Sequence, residues 1–481
     1  MKTVKYLFVG AMMLSFSAPV AAQEAQAVID AAKEIIKSQA PDMVKQVNAI
    51  YKKNKKNAEV VVGIGRAFYE AVPKDTVNAR IYADYGIKLK SPAAYVLAGD
   101  IYAFGDAGGD AARMYEQAIY FGRENGGQID ETPYYKYATV YRKVSLPSSI
   151  EKLDQLAQDR PDLAANGHVD VLKGRVYDLA NKVEEAAKVY NKVPLAQLEE
   201  RDVVSAARAN YLLGDYKKSQ EIIEYGLKSQ PRKFTFNQLG MFNYTMLKDY
   251  DKALEYADRM LNQSDSVKMN PEIYGVYAKA LNGAKKYNEA IEVYKKTLQL
   301  EFDSQDKKAG VIKDLADAYK GMDDYENAVL YYDQFLKTVS HASLTDYADL
   351  GRLYVQYADK LQGEEKLAKL KKADEIYADL AAKNADAKEY SLFWRARVGT
   401  MMDPDASQGL AQPFYEELVN TITAKAEMDN ADKARLKEGC NFLMVYYLKI
   451  KDDTARSKEF AQKVQTVDPA NETAKQILEL K

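Results

Sequence analysis

Apolar side chains recur every three or four residues along most of the chain, and the alternation typical of β-strands is hard to find. Small and aromatic residues form pairs with this spacing, for example Gly99 with Tyr102 and Ala111 with Tyr115. Residues three or four positions apart lie on one face of an α-helix, so each pair belongs to one packing face. The pattern predicts an all-α chain built from many amphipathic helices.

A short motif repeats along the middle of the chain, in which a tyrosine is followed three residues later by a small residue. Its four clearest copies are Tyr216 with Ser219, Tyr250 with Ala253, Tyr287 with Ala290, and Tyr325 with Ala328. Successive tyrosines of the motif are 34, 37 and 38 residues apart. A period of this length indicates a helical hairpin that is repeated along a solenoid.

A second constant spacing links the two helices of each hairpin. Pairs of small residues twelve positions apart are Gly99 and Ala111, Gly174 and Ala186, Ala207 and Ser219, Ala278 and Ala290, and Ala316 and Ala328. This interval leaves room for the rest of one helix, a tight turn and the first turn of an antiparallel partner. Small residues at both positions let the two helix backbones approach closely.

These positions resemble the tetratricopeptide repeat family, in which a small residue and a tyrosine stand in the first helix and an alanine opens the second. The best matches run from about Lys90 to Lys337, and Pro231 and Pro469 stand where the family places a closing proline. The resemblance implies a right-handed superhelical solenoid of antiparallel helix hairpins, with the first helices lining a concave face. The period predicts roughly eleven hairpins.

Three segments depart from the regular repeat. Met241 stands where a small residue is expected, with Gly240 beside it, so we expect the first helix there to be shifted. Charged residues around Gly363 lengthen one hairpin. A segment containing Trp394 leads into a repeat with a longer loop between its helices, near 403–411.

The start of the chain has the pattern of a secretory signal peptide. Lys2 and Lys5 precede an apolar run at 6–16, and small residues up to Ala22 suit cleavage before Gln23. The run is shorter than the ~20 apolar residues that a membrane span needs. We therefore expect an exported protein with no transmembrane segment in its mature form, periplasmic or in the cell envelope of a Gram-negative bacterium.

These patterns together predict the organisation of the chain. The expected parts are a signal peptide at 1–22, an N-terminal helical cap at 23–56, a tetratricopeptide repeat array at 57–340, divergent repeats with longer loops at 341–467, and a C-terminal capping helix at 468–481. Terminal caps shield the end apolar faces of a solenoid.

The composition argues against most kinds of catalytic or metal site. One cysteine and two histidines are too few for a His/Cys zinc site within one chain. Cys440 lies in an apolar helical run, which favours a buried structural thiol. A net charge of −2 offers no electrostatic case for binding nucleic acid. We expect no catalytic centre, no metal site and no cofactor.

Three segments that contain glycine resemble ligand-binding loops only superficially. The Gly63-x-Gly65 pair lacks the third glycine and the strand of a dinucleotide fingerprint. The segments 105–110 and 403–409 lack the regular oxygen ligands of a calcium loop. Both fall at predicted turns, where Asp and Gly are common for backbone reasons.

One group of residues on the expected concave face is a candidate binding site, which we call the basic stretch. Its members come from three successive repeats and are Tyr135, Lys136, Arg142, His168, Arg175, Arg201, Arg208 and Tyr211. Arginine can hold a carboxylate through two hydrogen bonds, so the stretch predicts an acidic peptide or a terminal carboxylate as partner. The alternative is a solvated face whose bases pair with neighbouring acids. Further along, the equivalent positions become mixed: Gln238, Lys279, Lys313, Asp314 and Asp317.

The sequence favours a non-catalytic protein–protein interaction scaffold or adaptor of the cell envelope, which binds a partner peptide or helix in its concave groove. A helical glycan-binding or carbohydrate-active protein is the alternative, although such sites generally expose tryptophans and the chain has Trp394 alone. A third possibility is a component of an envelope assembly or secretion machine. The lysine and asparagine clamp of chaperone-binding family members is absent from the basic stretch.

Overall fold

A computed structural model of the chain describes residues 22–126 and 129–480. Every regular element in these ranges is helical, and no β-strand occurs in them. The expected signal peptide lies outside the described residues, apart from Ala22. No helix in the described part is both long and apolar enough to cross a membrane. The all-α fold predicted from the apolar pattern is confirmed.

The chain divides into two compact units, of which the first ends at Leu239 and the second begins at Gly240. The boundary falls within α14 (Phe234–Met246). The helices that precede α14 are α1 (22–38), α2 (Met43–Asn54), α3 (Ala58–Glu70), α4 (Thr76–Lys88), α5 (Pro92–Phe104), α6 (Gly108–Glu124), α7 (Thr132–Tyr141), α8 (Leu146–Asp159), α9 (Pro161–Ala165), α10 (His168–Leu179), α11 (Val183–Tyr190), the 3-10 turn Leu195–Gln197, α12 (Glu200–Leu212) and α13 (Tyr216–Ser229).

The second unit continues the same succession of short helices. After α14 come α15 (Tyr250–Asp258) with a π-helical turn at Arg259–Gln263, α16 (Pro271–Gly283), α17 (Tyr287–Thr297), α18 (Gln305–Gly321), α19 (Tyr325–Thr338), α20 (Leu344–Asp359), α21 (Gly363–Lys383), the 3-10 turn Ala385–Ala387, α22 (Lys388–Met402), α23 (Gln412–Thr423), α24 (Asn430–Lys449), α25 (Thr454–Gln465) and α26 (Glu472–Glu479).

Consecutive helices pack in pairs, and we call the members of a pair the first helix and the second helix. In the first unit the pairs are α3 with α4, α5 with α6, α7 with α8, α10 with α11, and α12 with α13. In the second unit they are α16 with α17, α18 with α19, α20 with α21, α22 with α23, and α24 with α25. First helices of neighbouring pairs also touch, as α10 touches α12 and α16 touches α18. Side chains on these first helices can therefore meet across repeats.

The turn inside each pair explains the tyrosine motif. Asp215, Asp249 and Asp324 each accept a hydrogen bond from the backbone N–H three residues later and cap the second helix. The preceding residue has a positive φ, +60° at Lys248 and +63° at Asp323, which ends the first helix in a left-handed conformation. The motif tyrosine then begins the second helix.

Small residues of the first helices lie beneath tyrosine rings of the second helices. A Cβ atom added at Gly174 would lie 2.7 Å from two carbons of the Tyr190 ring. Gly240 makes the same close contact with Tyr256, while Met241 is buried. The small position of this repeat is therefore Gly240, one residue earlier than regular spacing places it, and the first helix is shifted.

The lengthened hairpin and the longer loop are both present in the second unit. Helix α21 has 21 residues, because the charged segment after Gly363 extends its first turns. The loop between α22 and α23 is organised by Asp403, whose side chain accepts hydrogen bonds from the backbone N–H groups of Gln408 at 3.0 Å and Leu410 at 3.3 Å. Asp403 is only 3% exposed. The acidic residue here satisfies backbone donors of its own loop.

Candidate functional site

The basic stretch lies on or beside three first helices of the first unit. Its members occupy α7 and the residue after it, α10, and α12 in the order Tyr135, Lys136, Arg142, His168, Arg175, Arg201, Arg208 and Tyr211. Neighbouring first helices touch at α7 with α10 and at α10 with α12. The three repeats therefore bring the members of the stretch onto adjacent helices.

Arg175 forms a two-pronged ion pair across two repeats. Its Nε and one Nη donate to the two carboxylate oxygens of Asp202 at 2.7 and 2.6 Å, and Glu199 lies 3.0 Å away. The side chains of Arg175 and Asp202 are 10% and 1% exposed. Burial opposes the charge, yet Asp202 and Glu199 raise the pKa of the Arg175 guanidinium above its ordinary value. Arg175 thus joins α10 to α12.

Lys136 belongs to a second cluster, centred on Asp100 of α5. The Asp100 carboxylate accepts hydrogen bonds from Arg66 and Lys136 at 2.5 Å each and from the Tyr115 hydroxyl at 2.8 Å. Burial acts to raise the pKa of Asp100, but the hydrogen bonds from Lys136 and Arg66 outweigh it and the pKa is lowered. Three successive first helices, α3, α5 and α7, are tied together by this carboxylate.

The other charged members also have partners within the chain. Arg208 donates to Asp178 at 2.5 Å, His168 Nε2 lies 2.8 Å from Glu131, Arg201 lies 3.1 Å from Glu199, and Arg142 donates to the Leu179 carbonyl at 3.2 Å. Among them, the side chains of Arg201 and Arg208 stay largely in solvent, with 61% and 52% exposed. Of the charged members of the basic stretch, these two arginines therefore have the side chains most accessible to a partner.

The two tyrosines of the stretch contribute mainly to packing. Tyr135 is half-buried against the apolar cluster that contains Leu153 and Leu172. The Tyr211 ring lies 5.6 Å from the ring of Tyr216 at the start of the next helix.

Sequence reasoning missed the acids that complete these pairs. Asp100 follows the small residue Gly99 just as Arg175 follows Gly174. The rule that placed Arg175 on the inner face, applied to Asp100, would have placed the acid there too. Which acid pairs with which base depends on which first helices are in contact. Spacing along the sequence does not predict those contacts.

The second unit has an open cavity of about 400 Å³ between the first helices α16 and α18. One face of each helix lines it, through Glu272, Gly275, Val276 and Lys279 on α16 and Lys307, Gly310, Val311 and Asp314 on α18. Each residue on α18 lies 35 positions after its counterpart on α16, so the walls are equivalent faces of two repeats. Phe302, in the segment before α18, closes one side.

The charges around this cavity are only partly paired. Lys307 donates to Asp303 at 2.6 Å. Within the described chain, no hydrogen bond or ion pair is found for the half-buried Asp314 or for Asp317, one turn further along α18. Burial raises the pKa of Asp314, and Lys279 partly opposes this. Burial likewise raises the pKa of Asp317. The α18 face thus presents two carboxylates that form no ion pair with a basic side chain of the described residues.

Comparison with known proteins finds a repeat of the kind that the helix pairs indicate. A family model described as Tetratricopeptide repeat matches residues 314–338, the end of α18 and all of α19. The matched segment is thus a tetratricopeptide repeat. The match covers part of one pair, and several other helix pairs share its capped turn or have a small residue beneath a tyrosine ring.

Solved structures with similar folds include two bacterial tetratricopeptide repeat proteins. The C-terminal part of a repeat-containing protein from Cytophaga hutchinsonii is 18% identical, with a TM-score of 0.48, covering 58% of this chain and 100% of that one. A tetratricopeptide repeat protein from Parabacteroides merdae is 12% identical, with a TM-score of 0.37, covering 55% of this chain and 98% of that one. No curated protein matches the sequence.

The remaining chemical candidates of this repeat protein have structural roles. Cys440 is fully buried, and burial raises the pKa of its thiol to about 12, which keeps it protonated and unreactive at neutral pH. The Trp394 indole is half-buried and stacks on Tyr377, with ring centroids 5.7 Å apart. No cluster of three or more metal-ligating side chains occurs among the residues described.

Proposed function

We propose that this protein is a non-catalytic scaffold of the cell envelope that binds a partner protein along the first helices of its repeats. The observation that carries the proposal is the cavity between α16 and α18, whose walls are equivalent faces of two repeats that the described residues leave uncovered. A solenoid that leaves its first-helix face open offers a continuous surface to an extended or helical partner. The signal-peptide pattern at 1–22 supports export.

A site-specific crosslinking experiment tests the scaffold proposal. A photoreactive amino acid replaces Lys279, on the cavity wall, or Glu292, exposed on the second helix α17, in chains expressed in the native host. We expect one recurrent protein to be crosslinked from position 279 and much less from position 292. Equal labelling from both positions, or none from either, contradicts binding on the first-helix face. Envelope fractionation of the same cells tests the location.

The basic stretch is proposed as a second contact, for an acidic peptide or a terminal carboxylate. Arg208 is the better probe, since reversing the buried Arg175 would leave Asp202 unpaired and disturb the fold. Arg208→Glu should weaken capture of the partner. Asp178→Asn should strengthen it, because it releases the Arg208 guanidinium from its internal acid. If both variants bind as the parent does, the stretch only joins repeats.

The glycan-binding alternative predicts a different result. The half-buried Trp394 stacks on Tyr377, so most of one indole face is already covered. Titration of the protein with a panel of polysaccharides by calorimetry should give no saturable heat if the scaffold proposal is right. Saturable binding to one polysaccharide would favour the alternative.

A further inference from the structure

Two glycines of the cavity are not needed for close packing against any residue that the structure describes. A Cβ atom at Gly310 would meet no heavy atom within 4 Å, and one at Gly275 would meet only Val311, at 3.8 Å. Both lie within helices, where glycine is less favourable than alanine. At Gly174 the Tyr190 ring leaves no room for a side chain, but no described residue excludes one at Gly275 or Gly310.

The two glycines stand at equivalent positions, 35 residues apart, on the facing walls of the cavity. Without side chains there, the backbone of another chain can approach both helices closely. The valines that follow them, Val276 and Val311, supply apolar wall. A volume of about 400 Å³ lies in the range of small-ligand pockets. It suits a few residues of extended chain better than a helix ~10 Å across.

The unpaired charges identify the kind of residue that would complete the site. Lys307 is held by Asp303, which leaves Glu272 and Asp314 as acids and Lys279 as the one base along the two walls. Asp317 adds another carboxylate beside Asp314. Lys279 offsets only part of the cost of burying the Asp314 carboxylate, which forms no ion pair within the described residues, and a cation placed directly beside it would relieve the rest.

We propose that the cavity between α16 and α18 binds an extended peptide segment of the partner, with an arginine or lysine side chain at Asp314 and small apolar residues over Gly275 and Gly310. This deepens the proposed function and rests on it. The cavity would select a segment with a basic residue, whereas the basic stretch would select an acidic one.

A random dodecapeptide library displayed on phage provides the probe. Selection is carried out against the full-length mature chain, and enriched peptides are synthesised for fluorescence-anisotropy titration. We expect enrichment of peptides with a basic residue next to small apolar residues. Affinity for these peptides should fall at least ~10-fold in Asp314→Asn, about the value of one charge-assisted hydrogen bond. It should fall by a similar factor or more in Gly310→Leu, which fills the cavity.

Gly122→Leu is the matched control. Gly122 lies within α6, outside the cavity, and a Cβ there also meets no heavy atom within 4 Å. This variant should bind the peptides as the parent does. Thermal unfolding of all three variants should show no loss of stability, because each leucine replaces a helical glycine and Asp314→Asn removes an unpaired charge.

The possible outcomes separate this inference from the proposed function. Enriched peptides that lack a basic residue, or that bind Gly310→Leu as tightly as the parent, overturn the cavity assignment while peptide binding by the scaffold stands. If no peptide is enriched and crosslinking from position 279 does yield a partner, the extended-segment assignment is wrong and the scaffold proposal survives. Failure of both experiments rejects both proposals.

Discussion

One methyl group should have opposite effects on stability at two glycines of the first helices. Gly174 lies within α10 beneath Tyr190, whereas Gly310 lies within α18 beside open space. Alanine at either position gains about 1 kcal/mol of helix propensity over glycine. The difference in unfolding free energy between the two variants therefore measures the cost of the contacts that the new Cβ atom makes.

The geometry at Gly174 leaves no room for that atom. The added Cβ would lie 2.7 Å from Cε1 and Cζ of Tyr190, well inside van der Waals contact. Tyr190 is 1% exposed, so its ring cannot move aside without disturbing its other neighbours. Overpacking of this kind costs about 1–3 kcal/mol. With the propensity gain subtracted, Gly174→Ala should lose up to about 2 kcal/mol of stability, and Gly310→Ala should gain about 0.5–1 kcal/mol.

Urea unfolding followed by circular dichroism, with hydrogen exchange of peptides from α10–α11 and α18–α19, measures both effects. Exchange is needed because a chain of two units need not unfold in one step. We expect faster exchange in α10–α11 for Gly174→Ala and slower exchange in α18–α19 for Gly310→Ala. The reasoning is refuted if Gly174→Ala gains as much stability as Gly310→Ala, since the tyrosine would then tolerate the methyl group.

Three further results are expected. Asp100→Asn should destabilise by about 2 kcal/mol at neutral pH, since it weakens charge-assisted bonds to partly exposed Arg66 and Lys136. Because the folded-state pKa of Asp100 is lowered, this stability is present above the ordinary pKa near ~4 and lost as the pH falls below it, so the parent and variant urea midpoints should converge in acid. Asp403→Ala should lower the free energy of unfolding by about 2 kcal/mol and speed hydrogen exchange of the amides at 408 and 410. Unchanged exchange would show that water replaces the carboxylate as acceptor. Cys440 should resist alkylation in the native protein and react after denaturation, and rapid native labelling would contradict its burial.

The repeat architecture could be predicted because its signals are local. The capping aspartate, the following tyrosine and the small residue three positions later all act within one turn and one helix. Where the local signal was irregular, at Met241, it still indicated the shift that Gly240 and Tyr256 show. Helix pairing then follows from chain connectivity, since a tight turn brings consecutive helices side by side.

The candidate site could be predicted only in part, because charges and open space depend on contacts between repeats. The basic character of Arg175 is evident from the sequence, but its two bonds to Asp202 join residues 27 positions apart on different helices. Within the described residues the charged members of the basic stretch contact acids or a carbonyl of the chain, and the side chains of Arg201 and Arg208 are the largely exposed ones among them.

By itself, the sequence determined that this chain forms helix pairs with small residues and tyrosines at their contacts, because each of those choices depends on neighbours within about forty residues. The tertiary structure decided which charges neutralise each other and where a cavity remains. Gly174 and Gly310 are the same residue in similar helices, yet one lies beneath a tyrosine ring and the other faces open space. That difference arises only when the helices pack side by side. Packing depends on distances in space, which the separation of residues along the chain does not determine.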